Sequence, residues 1–357
     1  FGQGELYGGF EQGKVYDSFG TEKIYGGYGT GDIYEGAFGN DLSGHEAFAD
    51  RSSGENIQRL REEPRLKDAR LLFGGNVYLS SYVLSAYDDE GIGGVLSPAI
   101  MDLSRKADLF MANQVFPFSE RGEAEAGKEY AYRVSPERVN ILKAAGIDCV
   151  ALANNHVLDY GYDALSDTID TLDRAKIAHV GAGENYDEAS RAVIMDINGM
   201  RTAVVSSSRR VPDASWGAGK NRAGVFLSYD ANKENYLNYI SELNRSCDFV
   251  ISYIYWGRND GDTQIPDYMK ILTRESVDAG ADLVICTAFD SAEGIEYYND
   301  VPIVYSLGDM MYGSSTDKGY LLELETKEAG NEMKLKLYSL SSQMGYTKIT
   351  DMSETEQ

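Results

Sequence analysis

The chain has 357 residues, of which 43% are apolar, and this composition is sufficient for one large domain with a substantial core plus a smaller appendage. Lys and Arg number 33 against 57 Asp and Glu, so the formal charge at pH 7 is −24. A chain of this charge repels polyanions at long range, which excludes nucleic acid as a partner. An anionic polymer would have to be bound through a local basic patch such as Arg209 and Arg210.

Residues 4–39 contain a nine-residue repeat in which four tyrosines occupy the same position: Tyr7, Tyr16, Tyr25 and Tyr34. Each follows an aliphatic residue and precedes small residues and, in most copies, a second aromatic residue, which predicts a short strand and a tight turn per repeat. We therefore assign residues 1–44 to a small β-repeat region rich in Gly and Tyr. Two interpretations stay open for it: an aromatic surface that binds a cell-wall polymer, and a spacer.

Residues 45–68 are polar and predicted to be a linker, residues 69–345 form the predicted main domain, and the acidic tail 346–357 is predicted to be disordered. Helices are predicted at 136–145, 163–176, 229–245 and 266–279, between strands at 69–76, 147–152 and 248–256. A hairpin is predicted around Asn198-Gly199, and three further strands follow residue 301. Two sheets with helices outside them give an α/β/β/α sandwich.

The three cysteines, Cys149, Cys247 and Cys286, lie in or beside predicted buried strands and are interpreted as core residues. Their odd number and irregular spacing fit neither a disulfide framework nor a metal motif. His179 has no recognisable partner in the sequence, and a structural role is predicted for it.

A dense polar cluster directly follows the predicted strand at 147–152. It contains Asn154, Asn155, His156 and Asp159. Ligands bind at the carboxyl ends of strands in open α/β sheets, and side chains of these types can bind a metal or a phosphate there. For an isolated Asn-His pair, the simpler interpretation is a turn followed by an interior histidine.

Six segments between residues 71 and 310 occur in an order that resembles the CapA-type poly-γ-glutamate capsule synthesis proteins, a branch of the calcineurin-like metallophosphoesterase fold. They are LLFGGNVYL (71–79), ADLFMANQVFPFS (107–119), the stretch from LKAAGIDCVALANNHVLDYG to VGAG (142–183), DFVISYIYWG (248–257), DAGADLVICTAFD (278–290) and GIEYYNDVPIVYSLGDM (294–310). The resemblance implies a metallophosphoesterase-type sandwich. It also implies a location outside the cytoplasm or at the cell surface, and a membrane anchor outside this stretch of sequence. The implied partners are an envelope polymer or the polymer-synthesis machinery at the membrane.

The chain departs from the family pattern at most positions where the resemblance places metal ligands. Asn76 replaces an aspartate, Val115 a glutamate and Tyr255 a histidine, while Ala288 and Asp290 replace two further histidines. A two-metal hydrolytic site needs several anionic oxygens and imidazoles. We therefore expect no metal and no other cofactor, and a site that is degenerate.

The resemblance implies a vestigial pocket made of Asn76, Asn113, Asn155, His156, Tyr255 and Asp290. Its walls are predicted to include Asn154, Asp159, Trp256 and Asp309. If a divalent cation does bind, Asn155, His156 and Asp290 are its expected ligands. Two interpretations stay open for each tryptophan. Trp256 is either a pocket wall or a core filler, and Trp216 is either a lid in the loop 212–224 or a surface anchor.

Three functions follow as hypotheses. The first is a non-catalytic, extracytoplasmic accessory protein for the synthesis, export or anchoring of a capsular or cell-envelope polymer of the poly-γ-glutamate type. The second is a metal-dependent phosphoesterase with a reduced ligand set of Asn76, Asn155, His156 and Asp290. The third is a cell-wall-binding module that acts through the N-terminal repeats.

Overall fold

The computed structural model describes residues 65–257, 265–287 and 295–356, apart from Ser314 and Gly330, and two short strands near the N-terminus. These strands, β1 (Val15–Tyr16) and β2 (Glu22–Lys23), pair antiparallel. The chain divides into two compact units, residues 1–51 and 52–357. Apart from β1 and β2, the predicted repeat region lies outside the described residues, and its predicted strands and turns stay predictions there.

The first sheet of the larger unit has eight strands. They are β3 (Ala69–Val77), β4 (Leu109–Gln114), β5 (Cys149–Ala151), β6 (Ala178–Val180), β15 (Asp309–Met311), β16 (Ser315–Lys327), β17 (Glu332–Gln343) and β18 (Tyr346–Glu356). The order across the sheet is β18-β17-β16-β3-β4-β5-β6, with β15 paired to β3. Strands β3 to β6 are parallel, and β16 to β18 add an antiparallel extension.

The second sheet has six strands. They are β8 (Val193–Ile197), β9 (Met200–Ser208), β11 (Phe249–Tyr255), β12 (Leu283–Thr287), β13 (Ile295–Tyr298) and β14 (Val301–Val304). Its order is β13-β14-β12-β11-β9-β8, with the four inner strands parallel. The predicted hairpin joins β8 to β9, and its turn residues Asn198 and Gly199 have φ of 54° and 86°, as the two-residue turn requires. Two further strands, β7 (Ala182–Gly183) and β10 (Gly224–Val225), form a small separate pair.

Seven α-helices lie in the described part of the chain. They are α1 (Ser81–Glu90), α2 (Pro98–Lys106), α3 (Val139–Ala145), α4 (Tyr162–Ala175), α5 (Tyr186–Ser190), α6 (Lys233–Ser246) and α7 (Asp267–Asp278). None of the helices in the described residues is long and apolar enough to cross a bilayer. The four predicted helices correspond to α3, α4, α6 and α7, whereas α1, α2 and α5 were not predicted.

Three apolar layers establish the order of the sandwich. Between the two sheets, Phe73 and Met111 of the first sheet share a core with Ile251 of the second. Helices α1 to α4 pack on the outer face of the first sheet, and α6 and α7 pack on the outer face of the second through residues such as Tyr236 and Met269. The predicted α/β/β/α sandwich is therefore confirmed. The three cysteines are buried and unpaired, as predicted.

The prediction of a disordered tail is wrong for residues 346–356. Strand β18 pairs antiparallel with β17 along its length. Thr347 is fully buried, and its hydroxyl donates to the carbonyl oxygen of Met310 at 2.8 Å. Lys334 on β17 forms an ion pair with Glu354. The acidic composition suggested disorder, but the neighbouring strand supplies both the backbone partners and the positive charge that the tail lacks.

The chain crosses from one sheet to the other between β14 and β15. At the crossing, a Cβ atom on Gly75 would lie 2.1 Å from the carbonyl oxygen of Gly308, so only glycine allows this approach. The backbone N–H of Asn76 donates to the same carbonyl at 2.8 Å. This contact places Asp309, the first residue of β15, beside Asn76, the eighth residue of β3.

An aspartate precedes each of four inner strands at the amino ends of the two sheets. They are Asp108, Asp148, Asp248 and Asp282. Each carboxylate accepts the backbone N–H of a residue in the neighbouring strand at 2.8 to 2.9 Å, and each aspartate donates its own N–H to that residue's carbonyl oxygen. The four pairs therefore satisfy the first exposed backbone groups of the strands at this edge.

Candidate functional site

Polar side chains from four strand ends and one strand start meet at the opposite, carboxyl edge. The structure brings together Asn76, Asn113, Asn155, His156 and Tyr255, as the alignment of motifs predicted, and places the predicted wall residue Asp309 beside them. Asp290, and with it Ala288, lies outside the described residues, so its predicted place in the pocket stays a prediction. Because β3, β4, β5 and β11 are parallel within their sheets, their carboxyl ends place these residues at one edge.

Three buried amides form a single directional chain of hydrogen bonds. The backbone N–H of His156 donates to Asn154 Oδ1 at 3.0 Å, and Asn154 Nδ2 donates to Asn113 Oδ1 at 3.2 Å. Asn113 Nδ2 then donates to Asn76 Oδ1 at 2.7 Å, and Asn76 Nδ2 donates to Asp309 Oδ1 at 2.9 Å. Every donor points toward the Asp309 carboxylate, so the bonds polarise one another in the same sense.

A second group of contacts surrounds the His156 ring. Its Nδ1 lies 2.8 Å from Asp159 Oδ2, which also accepts the backbone N–H of Tyr132 at 2.7 Å. The Tyr132 ring stacks on the imidazole with centroids 4.4 Å apart, and Tyr78 stacks on Tyr132 at 4.0 Å. Burial lowers the pKa of His156 more than the Asp159 carboxylate raises it. The imidazole is therefore neutral at pH 7.

A lysine that the sequence did not point to lies behind this ring. The Lys128 ammonium donates to the carbonyl oxygen of Asn155 and to Asp159 Oδ1, and lies 3.1 Å from His156 Nδ1. Its side chain is only 13% exposed, and burial lowers its pKa despite the carboxylate beside it. Lys128 comes from the loop between β4 and α3, where no motif or periodic pattern marks it.

Tyrosines line the side of the site formed by β3, β11 and the end of β15. Tyr255 donates its hydroxyl to Asn155 Oδ1 at 2.6 Å, and burial raises the pKa of Tyr255, so the hydroxyl keeps its proton. The hydroxyls of Tyr132 and Tyr312 lie 3.0 Å apart, and the Tyr78 ring meets Tyr312 edge-on. The sequence analysis identified Tyr255 but not the other three.

Three of the four predicted wall residues do not face the pocket. Asn154 and Asp159 are completely buried and orient the loop from behind, whereas Asp309 is half-buried at the cleft. Trp256 is 6% exposed and donates its indole N–H to Cys286 Sγ at 3.2 Å, within the core between the second sheet and its helices. Trp256 is thus a core filler, the second of the two interpretations.

The remaining singled-out residues have structural partners. Trp216 is buried, with the Lys128 ammonium 5.3 Å from its ring centroid, so it is neither a lid nor a surface anchor. Arg209 forms an ion pair with Asp230, which reduces the positive charge that it contributes to the predicted basic patch. His179 Nε2 lies 3.1 Å from Asp173 Oδ1, in keeping with its predicted structural role.

The described donor atoms do not fit a two-metal centre. Within residues 65–257, 265–287 and 295–356, no three His, Cys, Asp or Glu side chains are grouped so that they could hold a metal ion. Among the residues that the structure describes, the cleft offers one imidazole and the Asp309 carboxylate, while the side-chain oxygens of Asn76 and Asn155 already accept hydrogen bonds. Two cations need more anionic oxygen than this.

Comparison with known proteins agrees with the predicted resemblance. The family described as bacterial capsule synthesis protein PGA_cap matches residues 70–314. A probable polyglutamine synthesis accessory protein of Mycobacterium tuberculosis is 32% identical over 57% of this chain and 55% of its own length. The PGA biosynthesis protein CapA of Bacillus subtilis is 28% identical over 67% of this chain and 62% of its own length.

The capsule biosynthesis protein CapA of Bacillus anthracis is 28% identical over 63% of this chain and 55% of its own length. The chain thus spans between 55% and 62% of the length of these three relatives. The family match covers well over half of the chain, from β3 to the end of β15. The protein therefore belongs to the PGA_cap family of bacterial capsule synthesis proteins.

Proposed function

We propose that this protein is an extracytoplasmic accessory protein in the synthesis, export or anchoring of a capsular or cell-envelope polymer of the poly-γ-glutamate type. The family match and the names of the three relatives support this proposal. Its partners would be the polymer or the membrane-bound machinery that makes it, with the membrane anchor outside this stretch of sequence. The polymer, the partners and the location are parts of the proposal.

One observation supports the proposal that the site binds its ligand without hydrolysing it. The strand-end residues are held by amide hydrogen bonds and by the Lys128 ammonium, and not by a set of anionic metal ligands. A hydrolytic metal site lowers the pKa of a bound water through cation charge, and the described residues offer too few ligands to hold that charge. The tyrosine rings and the neutral imidazole instead favour a binding cleft.

The test uses a polymer-producing bacterium that lacks its own CapA-type protein. We expect the full chain to restore polymer yield, measured by size and quantity of the extracellular polymer. His156→Gln should reduce the restored yield several-fold because it removes the ring at the centre of the cleft. His179→Gln is the matched control, since His179 pairs with Asp173 outside the cleft, and should restore the wild-type yield. Equal yields from both variants would contradict a role for this cleft.

A second function is favoured by one specific contact. A carboxylate that orients an imidazole through Nδ1, as Asp159 does for His156, is frequent behind metal-binding histidines. The alternative is a metal-dependent phosphoesterase that uses Asn76, Asn155, His156 and Asp290, of which the last lies outside the described residues. Hydrolysis of p-nitrophenyl phosphate by the purified chain with added Mn²⁺, abolished by His156→Gln, would establish this alternative.

The third hypothesis, a wall-binding module, falls on residues outside the described part of the chain. It stays a prediction, and deletion of residues 1–51 tests it because the larger unit starts at residue 52. Binding of isolated cell walls or capsular polymer should be lost if the repeats are the binding element. Unchanged binding by the shortened chain would leave the repeats as a spacer.

A further inference from the structure

A surface groove lies between α3 and α4 on the outer side of the first sheet. Its volume is about 430 Å³, a size at which proteins commonly bind small ligands or parts of larger ones. The residues that line it include Pro136, Glu137, Val139, Lys143 and Arg174. None of the lining residues belongs to the cleft at the carboxyl ends of the strands. The groove is therefore a second concave surface of the larger unit, separate from the cleft.

Two basic side chains of the groove have no ion-pair partner among the described residues. Lys143 lies in the last turn of α3 and Arg174 in the last turn of α4, and both are exposed. Neither side chain donates a hydrogen bond to a residue that the structure describes. By contrast, Arg138, which directly precedes α3, is paired with Asp88. In a chain of formal charge −24, two unpaired cations in one groove attract an anionic group.

The simpler interpretation is that these cations only stabilise the helix ends. A basic side chain in the last turn of a helix interacts favourably with the partial negative charge there. Arg245 occupies the same position in α6, on the other side of the sandwich, and is exposed too. The helix-end interpretation accounts for each cation singly, but not for the meeting of two of them in one groove. Arg245 therefore supplies a matched control.

The groove also contains apolar surface and a hydrogen-bond acceptor. Pro136 and Val139 are partly exposed, and the exposed Glu137 carboxylate lies in the turn before α3. Two cations against one carboxylate leave the groove with a net positive charge. A matching ligand has carboxylates for the cations, methylene groups for the apolar surface and an N–H group for Glu137. A chain of γ-linked glutamate carries all three groups in every unit.

We propose that the groove between α3 and α4 binds a carboxylate-bearing chain of the γ-glutamyl type. Lys143 and Arg174 contact its carboxylates. Pro136 and Val139 pack against its methylene groups, and Glu137 accepts an amide N–H. This inference rests on the function proposed above and adds a polymer-binding surface outside the cleft. It also explains how so acidic a protein binds a polyanion, because the contact is confined to a groove in which cations outnumber carboxylates.

An anionic membrane is also attracted by exposed cations, but the shape and the surroundings of the groove favour a chain. Lipid headgroups lie in a plane, whereas the two cations line a concave surface between two helices. A membrane-binding helix carries Lys and Arg on its polar face. The exposed residues of α4 instead include Asp163, Asp170 and Asp173, which lie outside the groove lining and repel a plane of anionic headgroups.

The test crosslinks a γ-glutamyl oligomer that carries a photoreactive diazirine group to the full chain, at low salt, and maps the products by mass spectrometry. We expect crosslinks in segments 136–143 and 171–175. At subsaturating oligomer, the double variant Lys143→Gln/Arg174→Gln should give about tenfold fewer of them, because each exposed contact between charges contributes only modestly. Arg245→Gln should match the wild-type chain. All three side chains are exposed, so the melting temperatures should stay close to the wild-type value.

Three results would overturn the inference. Crosslinks confined to the cleft loop 154–159, or groove crosslinks that the double variant leaves unchanged, would exclude the groove as the site while the proposed polymer stands. No crosslinking of the wild-type chain would also overturn it, and the polymer-yield assay would then decide whether the proposed function fails as well. The last is binding to phosphatidylglycerol vesicles that the double variant loses, without groove crosslinks, which would assign the two cations to a membrane.

Discussion

The polar groups at the two edges of the sandwich are hydrogen-bonded in different ways. At the amino edge, each of the four aspartates exchanges two hydrogen bonds with one residue of the adjacent strand, so every pair is complete in itself. At the carboxyl edge, Asn154, Asn113 and Asn76 bond to one another in series and end on Asp309. The first edge is a set of independent contacts, and the second is one connected network.

This difference separates a structural edge from a functional one. Independent pairs tolerate the loss of one member, because the other pairs share no atom with it. A network that runs across three strand ends holds the His156 loop and Asp309 in a fixed relation, but each member depends on the next. The carboxyl edge is therefore the more sensitive to substitution and the better suited to present side chains to a ligand.

The largest effect is expected for Asn113→Ala. Asn113 is completely buried, and its loss leaves Asn76 Oδ1 without its donor and removes one of the two acceptors of Asn154 Nδ2, which still donates to the carbonyl oxygen of Gln114. We expect the free energy of unfolding to fall by about 3 kcal/mol in urea denaturation, since the buried Asn76 oxygen becomes unsatisfied and the buried Asn154 amide loses one of its two hydrogen bonds. Asn140→Ala, on the exposed side of α3, is the control and should cost less than about 0.5 kcal/mol. A loss below about 1 kcal/mol for Asn113→Ala would show that the network relaxes around the gap.

A smaller effect is expected at the amino edge for Asp148→Ala. The substitution removes the acceptor for the backbone N–H of Phe110, which should cost about 1 to 2 kcal/mol of unfolding free energy. Asp148→Asn keeps an acceptor oxygen at this position, and burial already raises the pKa of Asp148, so the amide should retain most of the stability. If Asp148→Asn is as unstable as Asp148→Ala, the negative charge and not the hydrogen bond is what matters there.

Double-mutant cycles compare the edges directly. Asn76→Ala and Asn154→Ala flank the same central amide, and we expect their effects to differ from additivity by about 1 kcal/mol. Asp148→Ala and Asp282→Ala lie in different sheets and should be additive within about 0.5 kcal/mol. Equal coupling in the two cycles would remove the distinction between a network and a set of pairs.

The pH dependence should have opposite signs at the two edges. Burial lowers the pKa of His156, so its contribution to stability is complete above about pH 6.5 and is lost as the pH falls. Burial raises the pKa of Asp282 to about 6 from 3.8, so its contribution is complete below pH 3.8 and is lost as the pH rises through 6.

Each group changes the unfolding free energy by at most about 1.4 kcal/mol per pH unit. Urea denaturation between pH 4 and 7 measures it. His156→Gln should make stability fall more steeply with rising pH in this range, and Asp282→Asn should do the opposite. Unchanged slopes in both variants would contradict the assignment of the two pKa shifts.

The sequence was sufficient for the parts of the site that follow a buried strand. The family resemblance predicted that Asn76, Asn155 and Tyr255 converge. The physical reason is that each comes at or just after a β-branched or apolar run, and parallel strands bring such ends together. Lys128 and Tyr312 were not predicted, because loop residues carry no periodicity and their positions depend on tertiary packing. The direction of the hydrogen bonds in the network could not be predicted either, since the sequence Asn-Asn-His does not show which atom donates to which.

The fold was predictable for the same reason, and the errors have a common cause. The helices α3, α4, α6 and α7 each show apolar residues at helical spacing with recognisable ends, whereas α1 has only one fully buried residue, Val83. The tail was wrongly predicted to be disordered because its composition was considered without its neighbouring strand β17. The amino-edge aspartates have a visible sequence signal, a single Asp before each of four apolar runs, which composition and motif reading passed over.

The crossing of the chain from β14 to β15 has a thermodynamic consequence. Asp309 arrives from the second sheet, yet it bonds to Asn76 of the first, and Tyr255 of the second sheet bonds to Asn155 after the first. A ligand that contacts residues from both sheets bridges the two layers of the sandwich, and unfolding must then also release this ligand. At one hundred times its dissociation constant, such a ligand adds about 2.7 kcal/mol to the unfolding free energy. Thermal denaturation in the presence of candidate polymer fragments can therefore identify the natural ligand without any assay of activity.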